Sequence, residues 1–165
     1  MQRDSSSYRD PEGYIVYSDD EIYRCITDPD AVILQGKYKA FFESAIAHKF
    51  LVPFEFCNKK VDSGTLVQLE TLPFISYPYE WGFDQLKDAA LLTLDLCILA
   101  LEHGLTLKDA TAFNVQQYQG RMIFIDHTSF EPTNGTLPWR PYSQFCRHFL
   151  SPLLITAYCG YNANK

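Results

Sequence analysis

The chain has 165 residues, 47% of them hydrophobic and 15% aromatic, which is enough for one domain with its own core and excludes a disordered chain. A formal net charge of -6 argues against a nucleic-acid partner, because duplex binding draws on Lys and Arg to neutralise phosphates. Five cysteines, Cys25, Cys57, Cys97, Cys146 and Cys159, lie far apart and form no C-x-x-C pair, so the pattern suggests neither a zinc site nor a closed disulfide framework and points to a reducing, cytoplasmic setting.

Residues 1–12, MQRDSSSYRDPE, are polar, lack the apolar stretch of a signal peptide, and are expected to form a flexible leader. No stretch reaches about 18 uninterrupted apolar residues, so no membrane partner is expected. Residues 14–17 and 21–26 are two β-rich runs separated by Ser18-Asp19-Asp20, a hairpin signal. Thr27-Asp28-Pro29-Asp30 supplies a helix start, and residues 31–48 carry Ile33, Leu34, Tyr38, Phe41, Phe42, Ala45 and Ile46 near a 3.6 period, with a break at Gly36. Residues 51–56 suit a short strand, 58–64 a charged loop, 65–70 an alternating half-buried strand, and 72–77 a further strand.

Tyr77-Pro78-Tyr79-Glu80-Trp81-Gly82 interrupts this pattern, since proline and glycine among aromatics suit a connector. The division that follows is a leader at 1–12, an amino lobe at 13–77, a hinge at 78–82 and a second lobe at 83–165. Residues 83–103 form the longest regular segment, with Leu86, Ala90, Leu94, Cys97 and Leu101 three and four apart and leucines on both flanks. So broad an apolar face predicts a helix buried inside its lobe, stopped by Gly104. Gln119-Gly120 predicts a tight turn joining residues 115–118 to 122–125 as a hairpin. A Pro- and Gly-rich loop at 132–141 and an aromatic helix at 142–158, started or kinked again by Pro152, complete the described order.

The chemistry is concentrated in residues 105–131, LTLKDATAFNVQQYQGRMIFIDHTSFE. Asp109 is followed by Asn114 in a D-x-x-x-x-N spacing, then by a hairpin and an apolar strand ending in Asp126. That order suits phosphoryl transfer: the first aspartate orients a hydroxyl, while the asparagine amide and the second aspartate hold a metal. The plainer reading is that Asp and Asn are common turn formers and that Asp126 only turns the chain after a strand. His127 beside Asp126 reads either as a metal neighbour or as a local hydrogen-bond partner, and His103 before Gly104 as an ordinary helix-end residue. Trp81, Trp139 and Cys97 read as packing.

These residues resemble the protein-kinase-like superfamily, nearer the small-molecule kinases of the aminoglycoside phosphotransferase type than the protein kinases. The resemblance implies an α+β, two-lobe fold: a small amino-lobe sheet plus one helix, and a truncated, mainly helical carboxyl lobe with a catalytic hairpin. It implies Asp109 as the catalytic-loop aspartate, Asn114 and Asp126 as Mg²⁺ ligands, and ATP as phosphoryl donor to a small hydroxylated acceptor. The chain departs from protein kinases in reading Leu107-Lys108-Asp109 for H-R-D, Thr111 for a lysine, and Asp126-His127-Thr128 for D-F-G. It also has no G-x-G-x-x-G and no V-A-I-K. By position alone, Arg24 stands in for the strand lysine, Glu43 for its helix partner, and Tyr77 and Tyr79 for the adenine-facing hinge.

In wording, LKDATAFN, FIDHTSFE and YPYEWGFDQLKDAALL resemble a kinase-like segment at the amino end of some bacterial proteins that also carry an S-adenosylmethionine-dependent methyltransferase domain. That likeness implies a second functional class, a non-catalytic pseudokinase module that regulates or scaffolds a methyltransferase domain. Kinases of this superfamily run to about 250 residues or more, so only part of the carboxyl lobe is expected here.

Overall fold

The computed structural model describes residues 2–3, 13–18, 21–26, 33–61, 64–135 and 138–160. Its amino-terminal part is one antiparallel sheet of β1 (Gln2–Arg3), β2 (Gly13–Ser18), β3 (Glu21–Ile26), β4 (Phe54–Val61) and β5 (Gly64–Leu69), in the order β1-β2-β3-β5-β4. The expected β2–β3 hairpin is present, with Ile15 opposite Arg24 and Val16 opposite Tyr23. Side chains alternate across a strand, so Tyr23 and Cys25 join Val16 and Leu66 in a small cluster on one face. Arg24 faces the other way, towards the second lobe.

Helix α1 (Lys39–Ala47) buries Phe41, Phe42 and Ala45 against the main core, after a helical turn at 33–35 and a bend at Gly36. The helix start read at residues 27–30 lies outside the described residues, as do residues 1 and 4–12 of the expected leader. Gln2 and Arg3 of that leader instead pair with Tyr17 and Val16 as an edge strand. Two other expectations are corrected. Residues 58–61, read as loop, continue β4, where Lys60 and Val61 pair with Thr65 and Gly64 beyond an irregularity in register. Residues 72–77, read as a strand, form none: Pro73 has no N–H for a ladder, Phe74 and Ile75 are exposed, and the Ser76 N–H donates to the Gln116 side chain.

A 3-10 turn at Pro78–Glu80 leads into α2 (Phe83–Glu102), which ends at Gly104 with φ +75°. Two short ladders follow: β6 (Leu105–Leu107) with β9 (Phe130–Pro132), and β7 (Val115–Tyr118) with β8 (Arg121–Phe124). Gln119 and Gly120 both have positive φ, 49° and 77°, which is the type I′ turn that right-twisted hairpins favour. Helix α3 (Tyr142–Phe145) runs through a π turn at Cys146–Leu150 into α4 (Ser151–Cys159). The widened turn falls where the ring of Pro152 would otherwise meet the carbonyl of His148.

One core serves both parts. Ile26 and Val67 of the sheet and Phe41 of α1 belong to the same buried cluster as Leu96, Phe130 and Phe149. The expectation of a wholly buried α2 fails on one side, because Leu91, Leu94, Ile98 and Leu101 are exposed. Among the described residues no helix is long and apolar enough to cross a membrane.

Candidate functional site

Backbone pairing assembles the site. The β6–β9 ladder sets Leu107 against Phe130 and is extended by a bond from the Lys108 N–H to the Ser129 carbonyl at 2.7 Å. Asp109 therefore leaves its strand beside Ser129. The β7–β8 hairpin is closed at its open end by the Ile125 N–H donating to the Asn114 carbonyl at 2.8 Å, so Asn114 and Asp126 flank adjacent strand ends.

The side chains of all three residues meet at one hydroxyl. Asn114 Nδ2 donates to Asp109 Oδ1 at 2.5 Å and to Ser129 Oγ at 2.9 Å, and Ser129 Oγ donates to Asp126 Oδ2 at 2.7 Å. Facing a carboxylate, the amide must present its NH₂, which leaves the Asn114 oxygen as the acceptor turned away from Asp109. Asp126 Oδ1 takes the Arg24 guanidinium at 2.6 Å and the Thr128 hydroxyl at 2.8 Å, while Arg24 also donates to Thr128 Oγ1 at 2.9 Å. The Arg24 and Asp126 side chains are 12% and 22% exposed, so this is a largely buried ion pair between the amino-terminal sheet and the strand end.

Charges in the cluster are split. Burial alone would raise the Asp126 pKa, but the Arg24 charge and the hydrogen bonds from Ser129, Thr128 and Arg24 outweigh it and hold the carboxyl down at about 2. Asp109 goes the other way, raised by burial and by the neighbouring Asp126 charge. His127 is buried; its Nε2–H donates to the Val52 carbonyl at 2.8 Å, and burial with the Arg24 charge lowers its pKa to about 4. The ring is neutral and fastens the strand end to the segment after α1.

Four contributors were not read from the sequence. Ser129 and Thr128 bond to the acids, and hydroxyls two and three residues after an aspartate are a signal that could have found them. Gln144 and His148, four apart on the α3 segment, hold the Asp109 loop from behind. Gln144 Oε1 accepts from the Ala110 N–H at 2.7 Å, and His148 Nδ1 accepts from the Ala112 N–H at 3.3 Å and lies 3.1 Å from Thr111 Oγ1. Since an amide can only donate, His148 carries its proton on Nε2.

The other expected nucleotide residues fare differently. Arg24 enters the cleft, but Glu43 does not meet it. Glu43 is paired with Lys39 at 3.3 Å, both side chains about two-thirds exposed (65% and 67%), because a four-residue spacing on α1 turns both to solvent. Tyr77 and Tyr79 are exposed and stacked, with ring centroids 5.3 Å apart and planes 4° from parallel. The Tyr77 backbone is already engaged, its N–H with Glu80 Oε2 at 2.7 Å and its carbonyl with the Glu80 N–H at 2.8 Å. Its N–H is thus taken up within the turn by the exposed Glu80 side chain, while its carbonyl keeps a second lone pair.

No family model matches the chain. It is 36% identical over 159 residues to nodulation protein NoeA of Rhizobium meliloti (strain 1021), a match that takes in 93% of this chain and 33% of that protein. The chain thus spans about a third of the length of this curated relative. Among solved structures it is similar to vaccinia related kinase 3, with a TM-score of 0.52 and 9% identity over 76% of this chain and 46% of that one. With its small antiparallel sheet and single helix, its connector, and the Asp109–Asn114 loop and hairpin of a mainly helical second lobe, the chain has a truncated protein-kinase-like fold.

Proposed function

We propose that the chain is a kinase-like domain that transfers the γ-phosphoryl group of ATP to a small hydroxylated acceptor. The observation that carries this reading is the convergence of Asp109, Asn114 and Asp126 on the Ser129 hydroxyl. The donors are all hard oxygens, two carboxylates and an uncommitted amide oxygen, which is the set Mg²⁺ prefers over a nitrogen or sulfur site. Asn114 and Asp126 would hold that ion, whose contribution is to neutralise phosphate charge. Asp109 takes the proton of the acceptor hydroxyl as its oxygen bonds to the γ-phosphorus and the bond to ADP breaks. A pKa raised by burial and by Asp126 makes it a stronger base than a solvated aspartate. Arg24 offers a fixed positive fork beside Asp126 for the phosphates.

A second reading is supported by the engaged Tyr77 backbone and by the commitment of Arg24 to Asp126. On it the chain is a non-catalytic kinase-like module that regulates a methyltransferase domain of the same or another polypeptide. We infer a bacterial, cytoplasmic setting for either, in line with the rhizobial relative. Nucleotide titration with and without Mg²⁺ separates the two. Phosphoryl transfer requires Mg²⁺-dependent ATP binding that is lost in Asp126→Asn and kept in Asp109→Asn, the latter losing turnover alone. Equal affinity with and without Mg²⁺, indifferent to Asp126→Asn, leaves the regulatory module.

A further inference from the structure

Helix α2 carries an ordered surface that neither the site nor the core uses. Leu91, Leu94, Ile98 and Leu101 are spaced three, four and three apart, which puts them on one stripe, and they are between 36% and 56% exposed. That spacing is the a/d repeat of a helix that packs on another helix. Three acids, Asp88, Asp95 and Glu102, recur every seven residues along one edge of the stripe, the position that flanks such a seam. On its other edge lie Ala90 and Cys97, which are buried in the core. None of the three acids forms an ion pair among the described residues, although Lys49 and Arg121 border the hollow beside Asp88 and Asp95. Helix α4, which packs against α2, is equally apolar and adds Leu154, Ile155 and Tyr158 to the exposed side chains of this lobe.

We infer that this face is a docking surface for an amphipathic helix of a partner, with apolar residues at heptad spacing and Lys or Arg along the flank that meets Asp88, Asp95 and Glu102. The charge pattern decides between occupants. A second copy laid antiparallel on the same seam sets the acidic edges against each other, three carboxylates facing three, whereas a basic-edged helix satisfies all of them. The seam from Leu91 to Leu101 is about 15 Å long, three helical turns, which suits a short helix more than a long coiled coil. Binding here draws on apolar burial for affinity and on the acids for selection. The inference is independent of phosphoryl transfer, since α2 presents this stripe on the side opposite its buried face.

The test uses the 165-residue chain and two synthetic helical peptides of three heptads, identical in a leucine seam but flanked by lysines in one and glutamates in the other. Fluorescence anisotropy is expected to show the lysine peptide binding roughly tenfold more tightly at low salt, with the difference shrinking as salt rises. Asp88→Asn/Asp95→Asn/Glu102→Gln removes the preference, and Ile98→Asp or, independently, Leu94→Lys removes binding of both peptides with an unchanged circular dichroism spectrum. Equal affinity for the two peptides overturns the proposal, as does binding that survives Ile98→Asp. Sedimentation showing a dimer of the free chain that Ile98→Asp dissociates assigns the face to a second copy and overturns it too.

Discussion

At the scale of single residues, the site is a set of groups whose ionisation is fixed by their neighbours. His127 is neutral because burial and Arg24 hold its pKa near 4, against 6.5 for a free side chain. An unfolded chain therefore takes up a proton below about pH 6.5 that the folded chain refuses until about pH 4. Stability from this group is complete above the upper value and is lost as pH falls through that window, by about 3 kcal/mol in all. In chemical denaturation without metal, His127→Gln should flatten the slope between pH 6.5 and 4; an unchanged slope would show that the acid sensitivity lies elsewhere. The Arg24–Asp126 pair supports a second expectation. Removing either partner strands a largely buried charge, so Arg24→Met should cost about 3 kcal/mol. The double variant with Asp126→Asn should cost less than the sum of the two singles, and strict additivity would mean that the contact is not energetically coupled. Asp109, Asn114 and Asp126 were legible in sequence because their spacing follows from a loop and a hairpin of fixed length. The Arg24–Glu43 pairing was not, since strand-then-helix order says nothing about which face of α1 a residue occupies; Lys39 four residues before Glu43 was the better guide.

Elements were legible where a local rule forced them. Gly104 after an apolar periodic run and Gln119-Gly120 between two β-rich runs both sit at positive φ, where side chains are disfavoured and turns are made. The β6–β9 ladder was invisible because each strand has only three residues and their pairing closes over the whole of residues 108–129. Residues 72–77 misled for the opposite reason: an apolar run resembles a strand locally, but Pro73 lacks a ladder N–H and Gln116 takes the Ser76 N–H and hydroxyl. The segment from α3 through the π turn was read only as part of an aromatic helix, yet it fixes the Asp109 loop through Gln144 and His148. We expect Gln144→Ala and His148→Ala to cost about 1 kcal/mol each and to speed hydrogen exchange at the Ala110 and Ala112 amides respectively. His148 is held below its usual pKa by partial burial and by Arg147, so its acceptor nitrogen is unprotonated near neutrality. As pH falls through its titration, the Ala112 amide should lose protection ahead of the Ala110 amide, and equal loss at both would assign the effect to general unfolding instead.

At the scale of the whole molecule, the two lobes are not separable bodies. Phe130 of β9 packs edge-on against Phe41 and Phe42 of α1, with centroids at 4.8 and 5.7 Å, and lies 5.9 Å from Phe124 of the hairpin. The segment after α1 adds main-chain bonds to the hairpin, from Val52 N–H to the Phe124 carbonyl at 2.9 Å and from Phe124 N–H to the Phe50 carbonyl at 2.8 Å. The connector is fixed in turn, because Trp81 Nε1 donates to Ser76 Oγ at 2.9 Å and Ser76 holds Gln116. A hinge so anchored and a core so shared leave little room for one lobe to unfold alone, although the sequence, with its proline-marked boundary, reads as two halves. Denaturant unfolding should therefore follow a single transition, with tryptophan fluorescence, which reports Trp81 of the hinge and Trp139 of the second lobe, coinciding with far-ultraviolet circular dichroism, which reports both lobes. Phe130→Ala removes a ring that both lobes touch and should destabilise that one transition by about 4 kcal/mol without splitting it. Two separated transitions in the parent chain, or a Phe130→Ala variant in which only the tryptophan signal shifts, would show that the sheet with α1 folds independently of the hairpin.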